Sequence, residues 1–191
     1  MAVRVVIAED EAIIRLDLKE ILEEEGYEVV GETGRGDEAV TLVRDEKPDL
    51  AILDIRMPGM DGLSAAREIT AERGAAVLIL TAYSQRNLIE EARDAGALAY
   101  LVKPFQRSEL IPAIEVALGR HHEMRALESE VSSLEDQLET RRLVDRAKGI
   151  LMDDHGMKEA EAFSFIQRHA MQARVTMRVM AQQIIDGTVR P

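Results

Sequence analysis

Short apolar runs at residues 3–8, 28–31, 50–53, 76–80 and 99–102 recur through the first 120 residues, each rich in Val, Ile or Leu and short enough for a buried strand. Between them, residues 13–25, 36–46, 63–73 and 88–95 carry apolar side chains at helical spacing. Turn chemistry separates the two patterns at Gly26, Pro48, Pro58-Gly59-Met60-Asp61-Gly62, Gly74 and Gly96. Strand and helix alternating in this way predict a five-stranded, doubly wound parallel sheet covered on both faces by right-handed crossovers.

From Gln106 onward the pattern is helical for a long way, and Pro112 should kink the helix if it lies beyond the first turn. Met124, Leu127, Val131, Leu134 and Leu138 follow at spacings of 3 and 4 residues, with Glu123, Glu128, Glu130, Glu135 and Glu139 among them. This predicts a short coiled coil, the alternative being an amphipathic helix lying on its own domain. The seam ends at Arg141, where the next apolar residue is due. Three helical pieces complete the chain at 142–152, 158–173 and 176–186. Their stripes, Leu143, Ala147, Ile150 and Leu151, then Ala162, Phe163, Ile166 and Ala170, then Val179, Met180, Ile184 and Ile185, predict a small all-α core. The expected organisation is a first domain over 1–120, a coiled-coil helix over 121–139 and a three-helix domain over 140–191.

Composition narrows the chemistry. The 191 residues include no Cys, which excludes disulfide scaffolds, thiolate metal sites and Cys nucleophiles. No apolar run approaches the ~20 residues needed to span a bilayer, and the N-terminus lacks a signal-peptide pattern, so a cytoplasmic location is expected. The net charge of -12 is unevenly spread. Residues 1–120 hold 14 basic and 24 acidic side chains, residues 121–139 hold 1 and 6, and residues 140–191 hold 9 and 6. An acidic body joined to a basic tail suits a tail that meets a polyanion.

Ligands of an open parallel sheet bind beyond the carboxyl ends of its strands, where strand order reverses. Glu9 and Asp10 follow the first strand, Asp54 ends the third, Thr81 the fourth, and Lys103 with Pro104 the fifth. Three converging carboxylates repel unless a hard cation joins them, and an all-oxygen set suits Mg2+. A carboxylate flanked by Mg2+ and an ammonium can act as a nucleophile toward a phosphoryl group. Helix N-capping explains Asp61, and serves for Asp37, but leaves this joint set unexplained.

Ala8-Glu9-Asp10-Glu11, Asp54-Ile55-Arg56-Met57-Pro58-Gly59-Met60-Asp61-Gly62, Thr81-Ala82, and Gly96-Ala97 leading to Tyr100-Leu101-Val102-Lys103-Pro104-Phe105 resemble the receiver domain of two-component response regulators, with its flavodoxin-like fold. The resemblance covers residues 3–120. It implies that Asp54 accepts a phosphoryl group from a sensor histidine kinase. Glu9, Asp10, Asp54 and the Arg56 backbone carbonyl would bind Mg2+. Lys103 would contact the phosphoryl group, Pro104 would follow a cis peptide, and Thr81 and Tyr100 would move on phosphorylation. Glu rather than Asp at position 9 is a conservative departure. Arg56 and Tyr83 stand where a hydrolytic water approaches in that family, so their bulk is expected to slow dephosphorylation. Any turnover would be self-dephosphorylation, and the chain is not expected to be an enzyme.

The tail clusters Arg141, Arg142, Arg146 and Lys148, and Arg168, Arg174 and Arg178 recur later. Such density can neutralise phosphates or simply solvate a helix face. Phe163 is expected in the core and Phe165 partly exposed; the methionines read as core filler, and the scattered histidines lack ligand spacing. Arg142-Leu143-Val144-Asp145-Arg146-Ala147-Lys148-Gly149-Ile150-Leu151-Met152, Gly156-Met157, Glu159-Ala160-Glu161-Ala162-Phe163 and Ile166-Gln167-Arg168-His169-Ala170-Met171 resemble the ANTAR domain of bacterial antitermination regulators. That resemblance implies recognition of paired RNA stem-loops by a phosphorylation-promoted homodimer, with Arg142, Arg146, Lys148 and Arg168 the expected RNA contacts. A DNA-binding or protein-docking output under the same switch is the alternative.

Overall fold

The computed structural model describes residues 2–72, 74–82 and 86–189, the side chains of Arg86 and Asn87 excepted. The chain divides into two compact units, Met1–Arg125 and Ala126–Pro191. In the first, β1 (Arg4–Ala8), α1 (Ala12–Glu24), β2 (Glu28–Thr33), α2 (Gly36–Glu46), β3 (Leu50–Asp54), α3 (Gly62–Ala71), β4 (Ala76–Thr81), α4 (Arg86–Asp94) and β5 (Ala99–Val102) alternate as expected. The strands pair in parallel in the order β2-β1-β3-β4-β5. Every residue of β3 and β4 is buried, which accounts for sequences that are apolar up to their last residues, Asp54 and Thr81.

Alternate strand residues point to opposite faces and close two cores. Val6, Ala8, Leu53, Val77 and Ile79 pack with Val40, Val43, Leu63 and Ile69 of α2 and α3. Val5, Ile7, Ile52, Leu78 and Leu80 pack with Leu18 and Leu22 of α1 and with Leu110 and Ile114. Each such side chain contributes about 1.5–3 kcal/mol by leaving water. Strand order reverses between β1 and β3, so the crevice of the fold opens at their carboxyl ends.

Two local expectations change. Strand β2 runs on to Thr33, whose carbonyl accepts the Glu9 amide at 3.0 Å, past an irregularity in register beside Val5 and Val6. Asp61 caps α3, accepting Ser64 N and Oγ at 2.8 Å each, whereas α2 is capped by Arg35 without a side-chain bond. Asp37 lies in the first turn of α2 and pairs with Arg35 at 2.7 Å. Asp37 therefore sits inside the helix, not at its cap, and its carboxylate is held chiefly by Arg35.

Helix α5 spans Arg107–His155 with Pro112 inside it, so the coiled-coil pattern and the first helix of the tail are one element. In the second unit α6 (Glu159–Ala173) and α7 (Met177–Ile185) close a core of Val144, Ala147, Leu151, Ala162, Ile166, Ala170, Met180, Ala181 and Ile184. Of the two aromatic expectations, that for Phe163 fails and that for Phe165 holds. Phe163 is 44% exposed, lining a groove with Val144, Lys148 and Met177. Phe165 covers a flank of the core and stacks on His169, ring centroids 3.8 Å apart. Val179, placed in the core from sequence, is also exposed. Arg178 of α7 bonds Asp136 at 3.2 Å and Glu139 at 2.7 Å, while Leu127, Val131, Leu134 and Leu138 stay exposed. Among the described residues, no helix is long and apolar enough to cross a membrane.

Two glycine substitutions should separate by sign. A Cβ on Gly62 would overlap the Asp54 carbonyl, so Gly62→Ala should lower stability by about 1–3 kcal/mol. Gly119, inside α5 with nothing within 4 Å of that position, should gain about 1 kcal/mol as Ala. Urea denaturation of both variants reads the difference.

Candidate functional site

The crevice gathers the charged residues that the sequence places after the strands. Glu9, one residue beyond β1, is fully buried; Asp54, the last residue of β3, is buried; Asp10 is exposed at the rim. Their carboxylate oxygens lie within 4.8 Å of one another. Lys103, directly after β5, places Nζ 2.7 Å from Glu9 Oε2 and 2.9 Å from Asp54 Oδ1. Asp54 Oδ2 accepts the Arg56 amide at 3.1 Å, and Glu9 Oε1 accepts the Glu11 amide at 3.3 Å. Register pairs Asp54 with Leu80, which puts Thr81, the last residue of β4, one step beyond. The Thr81 carbonyl accepts the Lys103 amide at 2.7 Å, and the Lys103–Pro104 peptide is cis. Tyr100 stands partly exposed on β5. Tyr83 lies outside the described residues.

Burial raises the Glu9 pKa, and the charge of Asp54 adds to it, against the opposing bond to Lys103. For Lys103, burial alone would favour the neutral amine, but its bonds to Glu9 and Asp54 outweigh burial and raise the ammonium pKa. One ammonium among three carboxylates leaves the pocket negative. Glu9 Oε2 is wholly buried and meets the Lys103 ammonium at 2.7 Å. Three carboxylates answered by one ammonium form an all-oxygen cluster with unbalanced negative charge, a donor set that suits Mg2+. Glu9, Asp10 and Asp54 are the side chains able to hold it.

Arg15 escaped the sequence reading. Its Nη1 donates to the Glu9 carbonyl at 2.5 Å, with Glu32 3.9 Å from its Nε, so it fixes the backbone on which two of the carboxylates ride. A lone Arg in an amphipathic helix carries no signal of that role. In the second unit, Arg142, Arg146 and Arg168 are exposed and have no ion pair among the described residues. Lys148 is different: its side chain is 16% exposed and its Nζ lies 2.8 Å from both Asp145 and Glu159.

The chain matches the response regulator receiver domain over residues 5–115 and the ANTAR domain over residues 132–185. It is 58% identical over 188 residues to the transcriptional regulatory protein PdtaR of Mycobacterium tuberculosis, covering 98% of this chain and 92% of that protein. This chain is a response regulator with a receiver domain and an ANTAR domain. Its receiver is 41% identical to the chemotaxis protein CheY of Thermotoga maritima over 115 residues, covering 60% of this chain and 96% of that one. The receiver of the putative response regulator NarL from Mycobacterium tuberculosis superposes with a TM-score of 0.59 at 32% identity, covering 62% of this chain and 97% of that one. The acidic cluster Glu9, Asp10 and Asp54 is of the kind that binds Mg2+ in receivers.

Two outcomes test the electrostatics. Because the folded state raises the Glu9 pKa, the metal-free protein gains stability from Glu9 at acid pH and loses it as pH rises through the raised value. Mg2+ takes the ionised carboxylate, so the rise in Tm on adding Mg2+ should be largest at neutral pH and should fade toward about pH 4. Replacing Lys103 by Met leaves Glu9 and Asp54 facing each other and should cost roughly 3–5 kcal/mol, part of it recovered by Mg2+. Thermal denaturation with and without the metal reads both.

Proposed function

We propose that Asp54 accepts a phosphoryl group from a sensor histidine kinase and that this switches the ANTAR domain to bind RNA stem-loops and cause transcription antitermination. The observation that carries the first half is the placing of Lys103 within 2.9 Å of Asp54 and 2.7 Å of the buried Glu9. The 58% identity to a transcriptional regulator, spanning both domains, supports the second.

In the transfer, the P–N bond of a phosphohistidine breaks as Asp54 forms a P–O bond, and the imidazole leaves with the electron pair and takes a proton. Bound Mg2+ would neutralise charge on the phosphoryl oxygens. Glu9, Asp10, Asp54 and the Arg56 carbonyl are its proposed ligands. Lys103 supplies a fixed cation that needs no reorganisation as charge moves onto those oxygens. Once Asp54 is an acyl phosphate, the carboxylate charge that Lys103 and the Arg56 amide now satisfy is replaced by charge on the phosphoryl oxygens. Thr81, bound through its carbonyl to the Lys103 amide, is placed to follow, and Tyr100 on β5 carries the change to the surface.

For the output, Arg142, Arg146 and Arg168 are proposed phosphate contacts, and Lys148 acts from within its ion pairs with Asp145 and Glu159. Phosphorylation favours a homodimer through Leu127, Val131, Leu134 and Leu138, a face left open while Arg178 holds α7 to Asp136 and Glu139. Two linked domains on two stem-loops then gain affinity through effective concentration.

Binding to an RNA with two stem-loops should tighten roughly tenfold after treatment with Mg2+ and a small acyl phosphate, at fixed salt. Asp54→Asn should abolish the gain without lowering the basal affinity. An equal gain for duplex DNA would favour a DNA-binding output, and no specific binding to either a protein-docking one.

A further inference from the structure

Gly149 sits inside α5 with an ordinary helical backbone, and nothing lies within 4 Å of where its Cβ would be. A glycine there costs helix stability relative to alanine. Neither a turn nor a close neighbour in this unit requires it.

Its position on the helix is informative. Ala147 and Leu151, two residues to either side, are wholly buried, so Gly149 faces away from the core. Three and seven residues earlier, Arg146 and Arg142 share its face, both exposed and without an ion pair among the described residues. Three neighbouring cations are already engaged, Arg141 with Asp145, Lys148 with Asp145 and Glu159, and Arg178 with Asp136 and Glu139, while Arg168 and Arg174 lie away from this face of α5. Asp145, one turn earlier on this face, is paired with Arg141 and Lys148, and Asp153, one turn further on, ends the basic stripe.

The same face carries Val131 and Leu138 earlier in α5, so it changes from apolar to basic at Arg141 and Arg142. Two copies could pair along the apolar half. Across the basic half their arginines would repel, and a polyanion is the complementary occupant.

We infer that this face is where an RNA sugar-phosphate backbone comes closest to the protein, Arg142 and Arg146 taking phosphates and Gly149 keeping the space between backbone and backbone clear. The inference rests on the RNA-binding reading above and adds the point of closest approach. Like other residues chosen for access rather than packing, Gly149 trades helix stability for contact.

The test uses the full chain treated with acyl phosphate and Mg2+, a synthetic RNA with two stem-loops, and two matched substitutions, Gly149→Ala and Gly119→Ala. Both glycines are helical and open, so both variants should melt at a higher temperature than the parent. Gly149→Ala should lose roughly tenfold in RNA affinity with an unchanged dimerisation constant, while Gly119→Ala binds as the parent does. Arg142→Ala should lower affinity and flatten its salt dependence. Unchanged RNA affinity in Gly149→Ala overturns the inference. So does a loss that follows a loss of dimer in sedimentation, because the occupant is then a second α5 helix. If the parent itself shows no preference for the stem-loop RNA over duplex DNA of equal charge, the RNA-binding reading fails and takes this inference with it.

Discussion

A single buried ammonium shared by two carboxylates ties together the ends of three strands. Lys103 follows β5, Glu9 follows β1 and Asp54 ends β3, and the two ion pairs are 2.7 and 2.9 Å long. Buried carboxylates this close would repel without it, and the ammonium would be costly to bury alone. The parallel sheet makes the meeting possible, since every strand delivers its carboxyl end to the same edge. Lys103 is also bonded through its amide to Thr81. Any reaction that changes the charge on Asp54 therefore disturbs a balance in which the backbone beside β4 has a share.

The sequence was most legible where one local rule acted alone. Unbroken apolar runs marked β3 and β4, because strands covered on both faces need no polar side, and the Asp61 cap followed from a single residue before a helix. The joint set of Glu9, Asp10, Asp54 and Lys103 was visible because topology gathers strand ends whatever lies between them. Failures came where a partner from elsewhere decided the matter. Asp37 pairs with Arg35 rather than capping α2. No spacing on α5 announces that Lys148 pairs with Glu159, eleven residues away on another helix, as well as with Asp145. Phe163 lies exposed rather than in the core because spacing on α6 gives the faces of a helix but not which flank its neighbours cover. Arg15, which holds the Glu9 carbonyl, had no pattern to announce it.

Within the second unit, helix α5 offers unlike chemistry to different directions. One side enters the core through Val144, Ala147 and Leu151. Acidic side chains beside it take Arg178, and the outward face is apolar and then basic along its length. A helix-wide average of hydrophobicity conceals this division, because the faces cancel. The division also assigns the cations their work: those beside carboxylates hold the fold, and those beyond their reach stay available.

The Arg178 contacts bear on what counts as a transplantable piece of this protein. Asp136 and Glu139 belong by sequence to the acidic stretch before the basic tail, yet they hold the first turn of α7. A fragment cut at residue 140 would carry a complete set of basic residues while leaving Arg178 without its anchors. The match to the ANTAR domain begins at residue 132, upstream of both acids. What would be grafted onto another receiver, or exchanged between relatives by recombination, is thus a cassette that brings its own acidic bracket with it.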